Sequence, residues 1–112
     1  MQITTTTKND TTIATLAGRM DAMTTTEFDR WFAEQQAAGN NRFVLDLQGL
    51  DYISSAGLRS LLAAAKQMKA RNGSLLLCGL SGTVEEVFKM SGFLTIFQSF
   101  SSVEDALQAS GA

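Results

Sequence analysis

Two serines stand side by side in LDYISSAGLRSLL, residues 50–62, at the head of an amphipathic stretch. A hydroxyl in such a place does one of two things. It caps the helix by accepting a hydrogen bond from a free backbone N–H, the common role and the one the residues alone favour, or it points outward, where it is open to modification such as phosphorylation. If Ser54 is the N-cap, its oxygen is engaged by the backbone, with a typical worth of ~1 kcal/mol over alanine. Ser55 then falls at the first helical position, its hydroxyl outward at the positive end of the helix dipole. A phosphate there is favoured locally by roughly 0.3–1 kcal/mol, so modification leaves the fold intact and changes the surface. Gly57 falls two positions later, where it costs ~1 kcal/mol relative to alanine. Close approach by a partner or tight packing within the chain would each justify it, and the residues alone leave both open.

Other chemistries are thin. The 112 residues contain no histidine and one cysteine, which removes Ser-His and Cys-His dyads and the usual zinc sets. Neither G-x-S-x-G nor G-x-x-x-x-G-K-[ST] occurs, so a nucleophile elbow and a P-loop are both absent. None of the eleven acids sits in a pattern that asks for acid-base work. Paired carboxylates stay open on composition alone, but self-contained catalysis is not expected, nor is a metal or a cofactor. A net charge of −2 without a Lys/Arg cluster argues against a nucleic-acid partner. Cys78, inside SLLLCGL, reads as a small core residue. No signal-like N-terminus and no run of membrane-spanning length is present, so a cytoplasmic protein without membrane insertion is expected.

The elements that must position the serines follow from periodicity. ITTTTK and TIATLAG flank Asn9-Asp10, a hairpin signal. TTTEFDRWFAEQQAAG reads as a helix: Thr24 and Glu27 fit a capping box, Phe28, Trp31 and Phe32 share a core-type face, and Gly39 lies past the end. RFVLDLQ alternates as a strand with Phe43, Leu45 and Leu47 on one side; Asp46 reads as a supporting or a solvent-side group. Helical spacing of Leu58, Leu61, Leu62 and Ala65 runs until Asn72-Gly73. SLLLCGL reads as a buried parallel strand. GTVEEVFKMSG is a helix with a second box, Thr83 with Glu86, and Gly92 as its stop. LTIFQSF reads as a further strand, and SSVEDALQASGA as a last helix with Ser101 and Glu104 as its box. The order β-β-α-β-α-β-α-β-α predicts an α/β fold in one domain, residues 1–112. Its central sheet is mostly parallel, with an antiparallel first strand and about four helices.

Parallel strands have a consequence for function. The loops GRMDAM, QGLDYISS and GLSGT must share the carboxyl end of the sheet, where ligands usually bind in open α/β sheets. Asp21 and the Ser54-Ser55 pair are thereby expected on one edge. Asp21 either steers a partner there or caps the first helix.

LDYISSAGLRSLL, with AGRMDAMTTTEF before it and VEEVFKMSGF after it, resembles the STAS domain across nearly the whole chain. The resemblance implies a STAS-like sheet flanked by helices and no enzymatic activity. In the bacterial anti-sigma factor antagonist branch, it implies phosphorylation of one serine by an anti-sigma factor that doubles as a serine kinase. Matching the motif residue by residue puts that serine at Ser55. Family members often have an aspartate before it and a hydroxyl residue after it; this chain has Ser54 and Ala56, which makes Ser54 a second choice. The loop aspartate of the family matches Asp21.

The resemblance then implies a charge switch. The unphosphorylated surface of Asp21, Ser54, Ser55, Gly57, Leu58 and Arg59 docks on the kinase and displaces its client. A phosphate of roughly −1.5 to −2 charges blocks the contact, and a serine phosphatase resets it. Two other functions are weighed against this one. A scaffold subunit of a transporter or other signalling complex would dock through the same helix without phosphorylation. A small hydrolase using Ser55 would turn over generic esters, but the chain offers no histidine to activate the hydroxyl.

Overall fold

The computed structural model describes residues 1–110; the last two residues of the expected domain lie outside them. A hairpin opens the chain. Strand β1 (Gln2–Lys8) runs antiparallel to β2 (Thr11–Met20), and Asn9 and Asp10 turn it with φ of 51° and 64°. Two successive positive φ angles are what a tight two-residue hairpin demands, and Asn and Asp tolerate them better than most side chains. Then follow α1 (Thr25–Ala37), β3 (Arg42–Ile53), α2 (Ser55–Ala70), β4 (Ser74–Cys78), α3 (Gly82–Ser91), β5 (Ser99–Phe100) and α4 (Val103–Ala109). Strands β2 to β5 are parallel, and the sheet order is β1-β2-β3-β4-β5. The expected α/β architecture is therefore present, with the strand order now added.

Alternation along the strands sorts side chains onto two faces. Ala14, Leu16, Phe43, Leu45, Leu47, Leu75 and Leu77 join Phe28 and Phe32 of α1, Leu58 and Leu61 of α2, and Val84 and Phe88 of α3 in the larger core. Ile13, Val44, Leu76 and Cys78 meet Ala106 and Leu107 of α4 on the other face. A strand covered on both faces needs no polar side, which is why the run Leu75–Cys78 is continuously apolar. Phe32 packs on Phe43 with ring centroids 4.9 Å apart, and the Trp31 indole donates a 2.8 Å hydrogen bond to the Thr5 hydroxyl. Together they tie α1 to the sheet and its edge strand. Among the described residues, no helix is long and apolar enough to cross a membrane.

Three local expectations are corrected. Helix α3 begins at Gly82 after Ser81, so Thr83 lies inside the helix and caps nothing. The cap of α4 is Ser102, which accepts from the Asp105 N–H at 3.1 Å. The pairs Ser101/Glu104 and Ser102/Asp105 read alike in sequence, and the extended backbone at Ser102 selects the second. The stretch LTIFQSF is mostly not a strand. A 3-10 turn spans Phe93–Thr95, and only Ser99 and Phe100 pair with Leu77 and Cys78. Phe93 and Phe97 stand four residues apart and pack on the Phe88 ring at 6.2 and 6.0 Å, so helical spacing wins over alternation there.

Candidate functional site

Strands β2 and β3 end together. Arg19 pairs with Tyr52 and Met20 with Ile53, and the Ser54 N–H donates to the Met20 carbonyl at 2.9 Å. This bond fixes the start of α2 against the β2–α1 loop and brings Asp21 to the same edge as Ser54 and Ser55.

The two serines divide as the register predicts. Ser54 is the N-cap, in extended conformation, and its Oγ accepts from the Gly57 N–H at 3.2 Å. Ser55 is the first residue of the helix and is exposed. Helices α1, α3 and α4 each carry an acid in the first turn, while α2 carries none. No acid of the helix's own first turn therefore offsets the positive end of its dipole beside the exposed hydroxyl.

Gly57 has an internal explanation. A methyl group there would sit 2.7 Å from Ile53 Cγ1 and 2.9 Å from the Met20 carbonyl oxygen, the same oxygen that receives the Ser54 N–H. Packing within the chain requires the glycine. Leu58 is 7% exposed and belongs to the larger core. Gly57 and Leu58 are therefore corrected: both are buried and cannot offer a docking surface. Ser55 and Arg59 remain outward, and Ser54 is half-buried.

Asp21 organises its own loop. Its Oδ1 accepts from the Met23 and Thr24 N–H groups at 3.0 and 3.1 Å, and Oδ2 lies 3.7 Å from Arg19 Nε. The Met23 N–H, then the Thr24 N–H, hold its carboxyl below the usual carboxylate range, with the Thr24 hydroxyl and Arg19 adding to them. Thr24, expected to cap α1 with Glu27, instead accepts from the Asp21 N–H at 2.9 Å and donates to the Arg19 carbonyl at 2.9 Å. Its helix-like backbone makes no side-chain cap; the Asp21 main-chain carbonyl accepts from the Thr25 N–H at 2.9 Å, and the Asp21 carboxylate serves the N–H groups just ahead of the helix.

Three exposed residues at this edge escaped the sequence reading. The Arg19 guanidinium stacks 4.2 Å from the centre of the Tyr52 ring. Met23 is 86% exposed at the tip of the loop. Met23 was legible as an apolar residue in a polar loop. The Arg19–Tyr52 stack was not, because it needs the β2–β3 register. Beside Ser55, a groove of about 480 Å³ runs between α1 and α2, with Asp29, Ala56, Arg59 and Ser60 in its lining.

The remaining candidates are structural. Asp46 accepts from the Gln48 N–H at 3.0 Å, which makes it a supporting group. Cys78 is buried, and desolvation, with Asp46 and Glu104 nearby, pushes its thiol up to about 12. It is a neutral core thiol at ordinary pH.

The sequence matches the STAS domain over residues 2–106. A Bordetella bronchiseptica protein named "Putative anti-sigma factor antagonist BtrV" is 46% identical over 97 residues, covering 87% of this chain and 84% of that protein. An anti-sigma factor antagonist from Mycobacterium paratuberculosis, of known structure, superposes with a TM-score of 0.90 at 16% identity, covering 99% of this chain and 94% of its own. The Bacillus cell fate determinant SpoIIAA, in its phosphorylated form, superposes with a TM-score of 0.74 at 18% identity, over 96% and 98% of the two chains. At these identities the two structures speak for the fold, and the match over residues 2–106 carries the assignment: the chain belongs to the STAS domain family.

Proposed function

We propose that this protein is an anti-sigma factor antagonist in a partner-switching pathway, and that Ser55 is its phosphorylation site. The observation that carries this reading is the division of labour at the start of α2. Ser54 spends its oxygen on the cap, while Ser55 stands exposed at a helix terminus with no acid in its first turn. The relative named as an antagonist supports the class of function, and phosphorylated SpoIIAA shows that a protein of this fold takes the modification.

In its unphosphorylated form, the edge made by Ser55, Arg59, Asp21, Met23 and the Arg19–Tyr52 stack docks on an anti-sigma factor that is also a serine kinase. The kinase then releases its client. Transfer of a phosphoryl group to the Ser55 hydroxyl adds roughly −1.5 to −2 charges in the middle of that contact. Weakening a complex a thousandfold takes about 4 kcal/mol, which like-charge repulsion and desolvation of a phosphate can supply. A serine phosphatase restores the docking form. The protein supplies a binding surface and an acceptor hydroxyl, and the kinase supplies the chemistry.

Incubation with the cognate kinase and ATP tests the site. The expected result is a gain of about 80 Da, one phosphoryl group, lost in Ser55→Ala and retained in Ser54→Ala. In a pull-down with ATP present, Ser55→Ala holds the kinase and Ser55→Asp releases it. Equal retention of the kinase by both variants overturns the switch. Failure of the wild type to be modified, with Ser55→Asp still bound, favours the constitutive scaffold.

A further inference from the structure

The shortness of β5 leaves an opening on the opposite side of the sheet from the β1 hairpin. In a parallel strand, the N–H and C=O of one residue point to one neighbour and those of the next residue to the other. The Ser74 N–H donates to Asn41 ahead of β3, while the Leu77 and Gly79 N–H groups donate to Gln98 and Phe100 on the β5 side. Leu75 therefore directs its backbone polar groups toward β5. The chain there is still in the turn after Phe93–Thr95, and the β4–β5 pairing begins only at Leu77 and Ser99. Among the described residues, the Leu75 N–H and C=O have no backbone partner on that side. Opening on a groove, this N–H and C=O pair is left free to take a main-chain partner from outside the chain.

The surroundings favour one kind of occupant. The groove, about 590 Å³, opens between α2 and the segment before β5. Its floor is Leu75 and Leu76, and Ile96, 53% exposed, with Phe97, forms the far wall. Lys66 and Lys69 of α2 stand on the near wall, and no carboxylate lines the groove. Neither lysine has an ion-pair partner among the described residues. An unpaired strand edge recruits an extended segment through main-chain hydrogen bonds, and side pockets then choose its side chains.

We propose that the open edge of β4 at Leu75 receives an extended, acidic segment of a partner protein as an added strand. Alternate side chains of that segment pack on Ile96 and Phe97, and its carboxylates face Lys66 and Lys69. The site lies toward the amino end of the parallel strands, whereas Ser55 lies at the carboxyl end. The two surfaces can be occupied together, and this proposal does not depend on phosphorylation of Ser55.

The test is amide hydrogen exchange and chemical-shift mapping on the full chain, with a capped heptapeptide of alternating Glu and Val as the probe. In the free protein, the Leu75 amide exchanges at least about 100-fold faster than those of Leu76 and Leu77, which are paired. Added acidic peptide slows Leu75 exchange by at least about tenfold and moves its resonance to saturation. A Lys/Val peptide, and an N-methylated acidic peptide that cannot donate, leave both unchanged. Paired Lys66→Glu and Lys69→Glu substitutions weaken the acidic peptide by about tenfold or more while the rest of the amide spectrum stays in place. Three results overturn the proposal: binding of the Lys/Val or N-methylated peptide as tight as that of the acidic one; Leu75 protected like Leu77 in the dilute free protein; or protection of Leu75 that rises with protein concentration alone, which assigns the edge to a second copy.

Discussion

The first two turns of α2 present two faces with opposite demands. Gly57 and Leu58 are turned inward, one against the Met20 carbonyl and Ile53, the other into the core shared by the three helices on that face. Ser55 and Arg59 are turned to solvent. Four neighbouring residues of one short motif thus differ in their work: the buried pair places the helix on the β2–β3 edge, and the exposed pair is the part that the proposed contact would use. A motif that looks functional as a block is half scaffold. The contrast is useful because substitutions on the two faces should separate stability from binding.

The largest break on the buried face is Leu58→Ala. Truncating a leucine in this core costs about 2–5 kcal/mol. A chemical denaturation midpoint is expected to fall accordingly, with the slope unchanged. Gly57→Ala comes next. The added methyl meets a backbone oxygen at 2.9 Å that is already fixed by the Ser54 N–H, so the neighbour cannot yield cheaply. Overpacking of about 1–3 kcal/mol outweighs the ~1 kcal/mol that alanine gains in helix propensity. A net loss of stability is expected in the same denaturation assay. A stabilised Gly57→Ala would show that packing within the chain does not require the glycine.

How far the sequence reached follows this same line between local and long-range causes. Element order, the Asn9-Asp10 hairpin, the Ser54 cap and the outward Ser55 all rest on neighbours within four residues, and all appear in the structure. The reason for Gly57 depends on Met20, which only the β2–β3 register brings into contact. The Arg19–Tyr52 stack was hidden for the same cause. The strand expected over LTIFQSF is confined to Ser99 and Phe100, while Phe93 and Phe97 pack on the Phe88 ring of α3, a contact that periodicity within LTIFQSF does not show. The open edge at Leu75 follows from the shortness of that strand.

Ser54 stands between the two faces, half-buried and bonded to the Gly57 N–H. Ser54→Ala removes the oxygen that accepts from the Gly57 N–H, at an expected cost of about 1 kcal/mol. A melting curve reads this as a loss of roughly 4–8 °C in a domain of this size. Phosphorylation at Ser55 should survive, since the acceptor hydroxyl is untouched. Loss of the phosphoryl acceptor in Ser54→Ala, with Ser55 intact, would move the site one residue back.

The smallest effect on stability is expected at Ser55, and that is what gives it diagnostic value. Its hydroxyl is exposed at the first helical position and makes no hydrogen bond within the chain among the described residues. Ser55→Ala should therefore fall within about 0.5 kcal/mol of the wild type. Ser55→Asp places an anion in a first turn that has no acid of its own, which favours the folded state by roughly 0.3–1 kcal/mol. An aspartate that releases the kinase while holding or raising the melting temperature acts through the contact surface alone. If instead Ser55→Asp unfolds the domain as Leu58→Ala does, released kinase would report lost structure, and the separation between the two faces of α2 would fail.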